Sequence, residues 1–453
     1  MVGAVAKYQK YVEYKDLDED FLPILPIDWQ IHRVKTILKL RRVIVGSDSK
    51  FYQLLSLSLK GVIPRDISGG DGKIPESFDT YQVVKENDLV FCLFDMDETP
   101  RTVGLAPQNG MITGAYNVYE AIEGNVPKFV YYYFLYLDLF KGLKPFYTGL
   151  RKVVRSDTFA NIKMLCPSFY EQTQIANFLD HETAKIDSLI EKQQKLIELL
   201  KEKRQAVISH AVTKGLNPNV LMKDSGVEWL GQVPEHWEVS RFKFVCSSII
   251  AGPFGSSITK DMYVSKGYKV YGQEQVIPND FEIGDYYISE KNYLELSRYE
   301  VYPKDILISC VGTFGKIAVF PENAQKGIIN PRLIKATVSN KFNPYFFREY
   351  LKSDAVFKQF EQLSRGGTMG VINIGILNEI FAVIPPRTEQ DNIYNFIQQQ
   401  KNKFNHLIQK AESTIQLMQE RRTALISSAV TGKIDVRNWK NPNNNEANTE
   451  FGV

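Results

Sequence analysis

One stretch of this sequence occurs twice and decides how the chain is built: PSFYEQTQIANFLDHETAKIDSLIEKQQKLIELLKEKRQAVISHAVTK, residues 167–214, returns as PPRTEQDNIYNFIQQQKNKFNHLIQKAESTIQLMQERRTALISSAVTG, residues 385–432. The two copies align without a gap at an offset of 218 positions, and 20 of the 48 aligned residues are identical. Identity of that extent over so long a segment indicates an internal duplication.

Each copy has the periodicity of one long helix. In the first copy, apolar residues recur in steps of three and four, and neither glycine nor proline occurs between Ser168 and Thr213. This pattern predicts an amphipathic helix. Ser168 and Glu171 form a capping box at its start, and Gly215 followed by Pro218 supplies a stop signal. At about 1.5 Å per residue, such a helix is roughly 70 Å long.

A helix of this length cannot bury its apolar stripe against itself, so it needs a partner. The second copy carries a matching stripe, and the sequence therefore predicts that the two helices pack on each other as a coiled coil. The residues predicted to lie in this helix–helix contact are Ile186, Leu189, Leu196, Leu200, Phe404, Leu407, Ile415 and Met418.

The duplication extends beyond the helices. A common offset of 208 positions relates two further segments, LPIDWQIHRVK (residues 25–35) and VPEHWEVSRFK (residues 233–243). Trp29 and Trp237 are predicted to be buried anchors of the globular parts that they open. His32 and His236 flank them without a carboxylate or cysteine at a useful spacing, which favours a structural over a catalytic role.

The repeat unit is a globular part followed by a helix, and it occurs twice. Short apolar strands and a few helices alternate in both globular parts, which predicts an α+β fold with a pseudo-twofold internal repeat. The tail after Lys433 is polar and asparagine-rich, so we predict that it is loosely ordered. The predicted divisions are 1–166, 167–214, 215–384, 385–434 and 435–453.

The loops of the two globular parts differ although the frame repeats. The first half alone contains GGDGK, DMDETPRTVG and TGLRKVVR, and the second half alone contains AGPFGSSITK, VYGQEQV and SRGGTMGVIN. One frame that carries two sets of loops is suited to recognising two different targets.

Composition limits the class of protein. The net charge is only +3, so binding to nucleic acid would have to come from local patches of charge. No apolar run is long enough to span a membrane, and the charged N-terminus does not resemble a signal peptide, so we expect a cytoplasmic protein. The four cysteines lie far apart, which favours reduced, packed thiols over disulfides or a zinc site; they are Cys92, Cys166, Cys246 and Cys310.

Four motifs carry a resemblance to a known family: the EQxxI opening of both helices, their ISSAVTG-like ends (208–213 and 426–432), KDSGVEWLGQVPEHWEV (223–239) and the GPFGS loop (252–256). Together they resemble the specificity (S) subunits of type I restriction-modification systems, the HsdS family. The resemblance covers about residues 15–434. The first half departs from it most, with CPSFYEQ in place of a double proline and no GPFGS loop.

The resemblance implies two α/β target-recognition domains separated by two long antiparallel helices that form a coiled coil. Each domain would read one half of a bipartite, asymmetric site on double-stranded DNA. The helices would dock modification subunits, two of them expected, and the complex would also contain restriction subunits. Methylation with S-adenosylmethionine, and cleavage with ATP and magnesium, would belong to those partners, so this chain would be non-catalytic and hold no cofactor or metal.

Base edges in the major groove are read by Arg, Lys, Asn, Gln and Ser side chains on loops, while other cations hold phosphates. The predicted DNA-binding residues of the first half are Lys60, Arg65, Lys73, Arg101, Arg151 and Lys152. Those of the second half are Ser256, Ser257, Lys260, Gln273, Gln275, Arg332, Arg365 and Thr368.

Two other classes of protein are weighed against this one: a self-contained modification or restriction enzyme, and a coiled-coil scaffold that binds only protein. The sequence lacks the motifs of an enzyme. Asn343-Pro-Tyr-Phe346 is missing the second proline of an adenine-methylating motif and is predicted to start a helix. Asp66 and Asp71-Gly-Lys73 lie too close in sequence for a nuclease metal site. Gly312-Thr-Phe-Gly-Lys316 is too short for a phosphate-binding loop. The dissimilar loops argue against a scaffold.

Overall fold

The computed structural model describes residues 8–16, 24–66, 77–254, 257–310, 315–363 and 372–442. The chain divides into two compact units. Unit 1 consists of Met1–Gln194 and Ser413–Val453, and unit 2 consists of Lys195–Glu412. The two long helices predicted from the duplicated stretch are present as α3 (Phe169–Lys214) and α9 (Arg387–Val430). Each of them has one part in unit 1 and the other in unit 2.

The remaining elements of unit 1 precede α3. Its strands are β1 (Tyr14–Asp16), β2 (Ile24–Pro26), β3 (Gln30–Arg33), β4 (Leu38–Arg41), β5 (Leu55–Ser58), β6 (Gly61–Pro64), β7 (Gln82–Val84), β8 (Leu89–Phe91), β9 (Val103–Leu105), β10 (Gly110–Ile112), β11 (Asn117–Ala121) and β12 (Lys163–Cys166). Its other helices are α1 (Pro127–Leu139) and α2 (Ser156–Asn161).

The remaining elements of unit 2 lie between α3 and α9 in the chain. Its strands are β13 (Met222–Asp224), β14 (Gln232–Pro234), β15 (Glu238–Arg241), β16 (Cys246–Ala251), β17 (Tyr263–Val264), β18 (Tyr268–Tyr271), β19 (Tyr287–Ile288), β20 (Ile306–Ser309), β21 (Ile317–Val319), β22 (Gly327–Ile329), β23 (Leu333–Val338) and β24 (Phe381–Ile384). Its other helices are α4 (Gln273–Val276), α5 (Glu290–Glu295), α6 (Pro344–Leu351), α7 (Asp354–Leu363) and α8 (Ile374–Glu379).

The same sheet occurs in both units. In unit 1 an antiparallel sheet has the strand order β4-β11-β8-β9, and in unit 2 the order is β16-β23-β20-β21. The turn that enters its third strand also recurs: Asp88 accepts a hydrogen bond from the Lys85 N–H, and Asp305 accepts one from the Tyr302 N–H, both at 2.8 Å. The predicted α+β class is therefore confirmed, and the repeat extends into the globular parts.

Buried tryptophans anchor the helix ends, as predicted. In unit 1, Trp29 is fully buried and its Nε1 donates to Glu171 Oε1 at 2.9 Å. In unit 2, Trp237 is fully buried and its Nε1 donates to Glu389 Oε2 at 3.1 Å. The glutamate shared by both helix openings thus joins the start of each helix to the first strands of its globular part. His236 Nε2 also lies 2.8 Å from the Glu389 carboxylate, a partner that the local sequence does not reveal.

The glutamine that follows each glutamate has an equally specific task. Gln172 accepts a hydrogen bond from the Val126 N–H at 2.9 Å, ahead of α1. Gln390 accepts one from the Asn343 N–H at 2.8 Å, ahead of α6. Both glutamines are buried, so the bonds satisfy polar groups that would otherwise be unpaired in the interior. The shared EQ motif is therefore explained by the fold itself.

In unit 1, the parts of α3 and α9 run in opposite directions. Tyr170 at the start of α3 donates to the main-chain oxygen of Arg437, beyond the end of α9, at 3.4 Å. Asp187, further along α3, pairs with Arg422, which lies earlier in the chain, at 2.9 Å. Moving forward along α3 therefore means moving backward along α9.

The same antiparallel order is found in unit 2. Arg204 of α3 donates to Asn405 of α9 at 2.5 Å. Gly215, just past the end of α3, has φ +78°, and a Cβ placed there would lie 3.2 Å from Glu389 Oε1 near the start of α9. The positive φ angle explains the glycine at this helix end.

The predicted helix-packing residues differ in burial. Ile186 and Phe404 are buried, and a further three are half-buried: Leu200, Ile415 and Met418. Leu189, Leu196 and Leu407 keep 39%, 42% and 38% of their surface exposed, so these three side chains are covered less than Ile186 and Phe404. At 100° per residue, Leu189 is rotated roughly 60° from Ile186, as Leu407 is from Phe404, and a two-helix contact covers only a narrow face.

The predicted loose tail is also wrong for residues 434–442. Ile434 and Val436 are 0% and 2% exposed and belong to the core of unit 1. The Trp439 ring packs against Phe178 of α3 at a centroid distance of 5.7 Å. Three apolar residues in a polar segment suffice to hold it on the helix, because each buries its side chain in a groove formed elsewhere in the sequence.

All four cysteines are free thiols, as predicted. Cys92 and Cys310 are buried, and burial raises the pKa of Cys246 and of Cys310 to about 12. Thiols with a pKa this high carry almost no thiolate at neutral pH. Across the described ranges, no helix is both long enough and apolar enough to cross a membrane.

Candidate nucleic-acid interface

Unit 2 contains an open cleft with a volume of 860 Å³. It is formed by residues 258–263 after β16, the junction of β18 and α4, the turn between β22 and β23, and Tyr286 ahead of β19. Glycines allow these segments to approach closely. A Cβ at Gly252 would lie 1.9 Å from the Asn330 oxygen, and a Cβ at Gly272 would lie 2.4 Å from Asn330 Nδ2. The turn at Asn330 is therefore held directly against the end of β16 and against the junction of β18 and α4.

The cleft brings together three of the residues predicted to bind DNA, which are Lys260, Gln273 and Arg332. Lys260 and Arg332 are exposed, and neither has an ion-pair partner among the described residues. Gln273 Nε2 donates to Ser309 Oγ at 2.5 Å, which orients the amide. Two cations beside an oriented amide are the groups that pair with phosphates and purine edges.

The structure corrects the prediction for Gln275. This side chain is 0% exposed, and its Oε1 accepts a hydrogen bond from the Gly272 N–H at 2.7 Å. Its Nε2 donates to Glu274 Oε1 at 2.8 Å and to the Ile283 carbonyl at 3.0 Å. Both ends of the amide are engaged in holding the cleft wall, so it cannot present itself to a base edge.

Several residues of the cleft were missed by sequence reasoning. Glu274 and Asn330 line it, as do Tyr263 and Tyr286, whose rings lie 5.2 Å apart. Asn330 Oδ1 accepts a hydrogen bond from the Arg332 N–H at 2.9 Å. The Asn-Pro pair at 330–331 is a turn signal that could have drawn attention to this loop. Nothing in the local sequence marks the two tyrosines.

In unit 1, two of the predicted residues lie on the hairpin formed by β5 and β6. Lys60 is exposed in its two-residue loop, next to Leu59, which is 65% exposed. Arg65 is half-buried beyond β6, and its N–H donates to the Leu54 carbonyl at 2.9 Å. Lys60 is thus displayed at a tip, while Arg65 lies at the base.

Arg101 is engaged in a largely buried ion pair. Its Nη1 lies 3.0 Å from Asp138 Oδ2, and the two side chains are only 14% and 3% exposed. Its Nη2 also donates to the Leu59 carbonyl at 3.4 Å. A guanidinium in this position holds the fold together, which argues against a direct contact with a base.

A second tip in unit 1 carries Arg151 and Lys152. Arg151 pairs with Asp95 through two hydrogen bonds, the longer of which is 3.0 Å, and these bonds lower the pKa of Asp95. Lys152 is exposed with φ +47°, and Leu150 beside it is 100% exposed. The tip therefore presents an exposed apolar side chain followed in the chain by two cations, of which Arg151 is paired with Asp95.

Other predicted residues lie outside the described ranges: Lys73, Ser256, Arg365 and Thr368. Ser257 is described and exposed. The Asp71-Gly-Lys73 segment, rejected above as a metal site from its sequence spacing, and most of the loop at 312–316 are also outside these ranges. Where residues are described, no three His, Cys, Asp or Glu side chains are grouped so that they could hold a metal ion.

The Asn-Pro-Tyr-Phe sequence is a helix start, as predicted. Asn343 Oδ1 accepts hydrogen bonds from the Tyr345 and Phe346 N–H groups at 2.8 and 3.2 Å, which caps α6. Its Nδ2 donates to Asp391 at 2.6 Å. Both ends of the asparagine side chain are committed to structure.

Comparison with known proteins agrees with these observations. Residues 234–417 match the family described as Type I restriction modification DNA specificity domain. The type I restriction enzyme EcoBI specificity subunit of Escherichia coli is 21% identical over 300 residues. Residues 234–417 of this chain are thus similar to a type I restriction-modification DNA specificity domain. The match to the EcoBI subunit covers 64% of this chain and 62% of that protein.

Solved structures share the fold of this chain. One solved chain comes from work described as "Structural basis underlying complex assembly and conformational transition of the type I R-M system". It has a TM-score of 0.68 and 16% identity to this chain, and the match covers 90% of this chain and 99% of that one. The HsdS subunit from Thermoanaerobacter tengcongensis has a TM-score of 0.54, with 16% identity, covering 90% and 98%.

Proposed function

We propose that this chain confers DNA sequence specificity on a type I restriction-modification enzyme by reading a bipartite, asymmetric site. Each unit would contact one half of the site. The observation that carries the proposal is the cleft of unit 2, where exposed cations and amides converge within the segment that matches the specificity domain. Such groups suit both phosphate contacts and base edges.

Two tips of unit 1 support a second contact with DNA. Lys60 is exposed on one tip and Lys152 on the other. Cations displayed on short turns can follow a phosphate backbone without moving the sheet that carries them. Since the tips of unit 1 and the cleft of unit 2 differ in shape and in residues, we infer that the two half-sites differ in sequence.

The long helices would separate the two reading surfaces as an antiparallel coiled coil and dock two modification subunits. The half-exposed Leu189, Leu196 and Leu407 are apolar groups available to such partners. Restriction subunits would complete the enzyme. Adenine methylation with S-adenosylmethionine, and ATP- and magnesium-dependent translocation and cleavage, would belong to those partners, while this chain would supply recognition without catalysis.

An exchange of residues 233–384 for those of another family member tests this proposal. The full-length chain and the chimera are each used to select bound duplexes from a random library at moderate, fixed salt, because affinity for DNA depends strongly on salt. We expect the exchange to change one half of the selected site and to leave the other half and the spacer unchanged.

The matched control is an exchange of residues 24–166, which should change the opposite half. Selection of scrambled DNA by the original chain would contradict the proposed function. A change in both half-sites by either exchange would contradict the division of recognition between the units.

A further inference from the structure

Glu274 is a carboxylate in a cleft that otherwise offers cations and amides. It is exposed and lines the cleft together with Lys260 and Arg332. Its Oε1 accepts the 2.8 Å hydrogen bond from the buried amide of Gln275. Its Oε2 accepts no hydrogen bond from any residue in the described ranges, and no cation there lies within ion-pair distance of it. One carboxylate oxygen is thus fixed while the other is open to the cleft.

The support beneath Glu274 is rigid. Gln275 is itself held by the Gly272 N–H and the Ile283 carbonyl. On the far side, a Cβ at Gly284 would lie 2.4 Å from Glu274 Oε1, and this glycine has φ +85°. The loop at Gly284 can therefore close on the carboxylate only because it lacks a side chain. A surface glutamate with no function does not need a buried amide and a glycine contact to orient it.

A carboxylate that faced the phosphate backbone would oppose binding. At physiological ionic strength the Debye length is about 8 Å, so a carboxylate in contact with DNA is not screened from a phosphate beside it. In a cleft that faces the bases, a carboxylate at this position would instead be suited to the amino group of a base. Among the base edges of the major groove, the N4 amino group of cytosine is the partner suited to Glu or Asp.

We propose that Glu274 selects cytosine at one position of the half-site read by unit 2, by accepting a hydrogen bond from the N4 amino group. This inference rests on the proposed function. Thymine presents the acceptor O4 at the corresponding place, so Glu274 and thymine O4 would repel each other and no hydrogen bond could form between them. Arg332 and Lys260 would hold neighbouring phosphates or a purine edge and fix the register.

The variant Glu274→Gln tests the inference. The amide oxygen of the variant can still accept the bond from Gln275, which places the NH2 group where Oε2 faced the cleft. That NH2 group can donate to thymine O4 but cannot accept a hydrogen bond from cytosine N4. We expect the preference for cytosine over thymine at that one position to fall tenfold or more. Glu274→Asp keeps a negatively charged acceptor, and we expect it to retain the preference for cytosine. The measurement is competitive binding of paired duplexes to the full-length chain at fixed salt.

Glu290→Gln is the matched control. Glu290 is an exposed glutamate of unit 2 that does not line the cleft, so its substitution removes the same charge at a distance from the cleft. The inference is overturned if Glu274→Gln leaves the cytosine preference unchanged, if Glu290→Gln lowers it equally, or if the original chain requires no cytosine in that half-site. A chain without any sequence preference would instead refute the proposed function. Thermal unfolding of each variant shows whether it is folded. If Glu274→Gln does not fold, the cytosine preference of Glu274→Asp tests the inference, and loss of that preference in a folded Glu274→Asp overturns it.

Discussion

Glu171 shows at the scale of one residue how the helix opening is tied to its unit. Its side chain is 4% exposed and accepts hydrogen bonds from Trp29 Nε1 at 2.9 Å and from the Tyr11 hydroxyl. Burial, together with this bond to Glu171, raises the pKa of Tyr11. Two donors from separate parts of the chain thus depend on a single buried carboxylate.

Replacing Glu171 by Gln should destabilise unit 1 by about 1–3 kcal/mol, because hydrogen bonds to a charged acceptor are stronger than those to an amide. The measurement is chemical unfolding of the full-length chain followed by circular dichroism. Glu191→Gln, on an exposed position of the same helix, should have little effect. Equal losses in the two variants would show that the contact with Trp29 and Tyr11 is not the cause.

Glu349 gives a pH-dependent contribution in unit 2. Its side chain is 2% exposed and pairs with Lys401 at 2.7 Å and with Arg348. Burial acts to raise the pKa of this carboxyl, but the charges of Arg348 and Lys401 outweigh burial and lower it. The folded chain therefore holds the carboxylate more strongly than the unfolded chain does.

The stabilising contribution of Glu349 should be present above the usual glutamate pKa of about 4.3 and should be lost as the pH falls below it. At pH 7, Glu349→Gln should lower stability by about 1–3 kcal/mol, since it leaves the half-buried Lys401 without its charged partner. Near pH 4 the gap between the original chain and the variant should narrow. Glu361→Gln, an exposed control on α7, should show no such trend in thermal unfolding. A gap that stays constant with pH would contradict the assigned cause.

At the scale of elements, the segment after α9 is part of unit 1 and not an appendage. Ile434 and Val436 are buried in its core, and the Asp435 N–H donates to the Gln9 carbonyl at 2.8 Å. Arg437 lies over the Tyr11 ring at 5.0 Å. The segments at the two ends of the described chain therefore complete the same core.

Ending the chain after Lys433 should lower the midpoint of thermal unfolding of unit 1 by several degrees, because two buried aliphatic side chains are removed at a cost of about 2 kcal/mol or more each. Ending it after Pro442 should leave the midpoint unchanged, since that truncation retains Ile434, Val436 and Trp439. Calorimetry of the two truncated chains makes the comparison. The same midpoint in both would show that the packed segment contributes nothing.

At the scale of the whole molecule, we expect the length of the helices to set the spacing between half-sites. The contact between Asp187 and Arg422 lies in unit 1, and the contact between Arg204 and Asn405 lies in unit 2. Four residues inserted between 188 and 203 in α3, and four between 406 and 421 in α9, should preserve both contacts while lengthening the helices by about 6 Å.

The double insertion should shift the preferred spacer by about one to two base pairs, since successive base pairs are about 3.4 Å apart along the duplex, without changing the half-sites. Selection of duplexes from a library with variable spacers measures the outcome. Insertion in α3 alone is the informative control, because it breaks the register with α9 and should weaken binding to every spacer. Changed half-site letters after the double insertion would contradict a role of the helices as a spacer.

The sequence by itself determined the duplication, the two long helices, the α+β class and the buried tryptophans. These features follow from periodicity and from fixed offsets, which are properties of the chain read in order. The family resemblance added the kind of target, which periodicity does not reach.

Only the tertiary structure decided which polar residues can face a ligand. Gln273 and Gln275 belong to one short motif, yet Gln273 lines the cleft while Gln275 is completely buried. Leu189 and Ile186 share one apolar stripe, yet only Ile186 is enclosed. The reason is physical: the direction of a side chain depends on how its element is held by contacts distant in the sequence, such as that of Gln273 with Ser309.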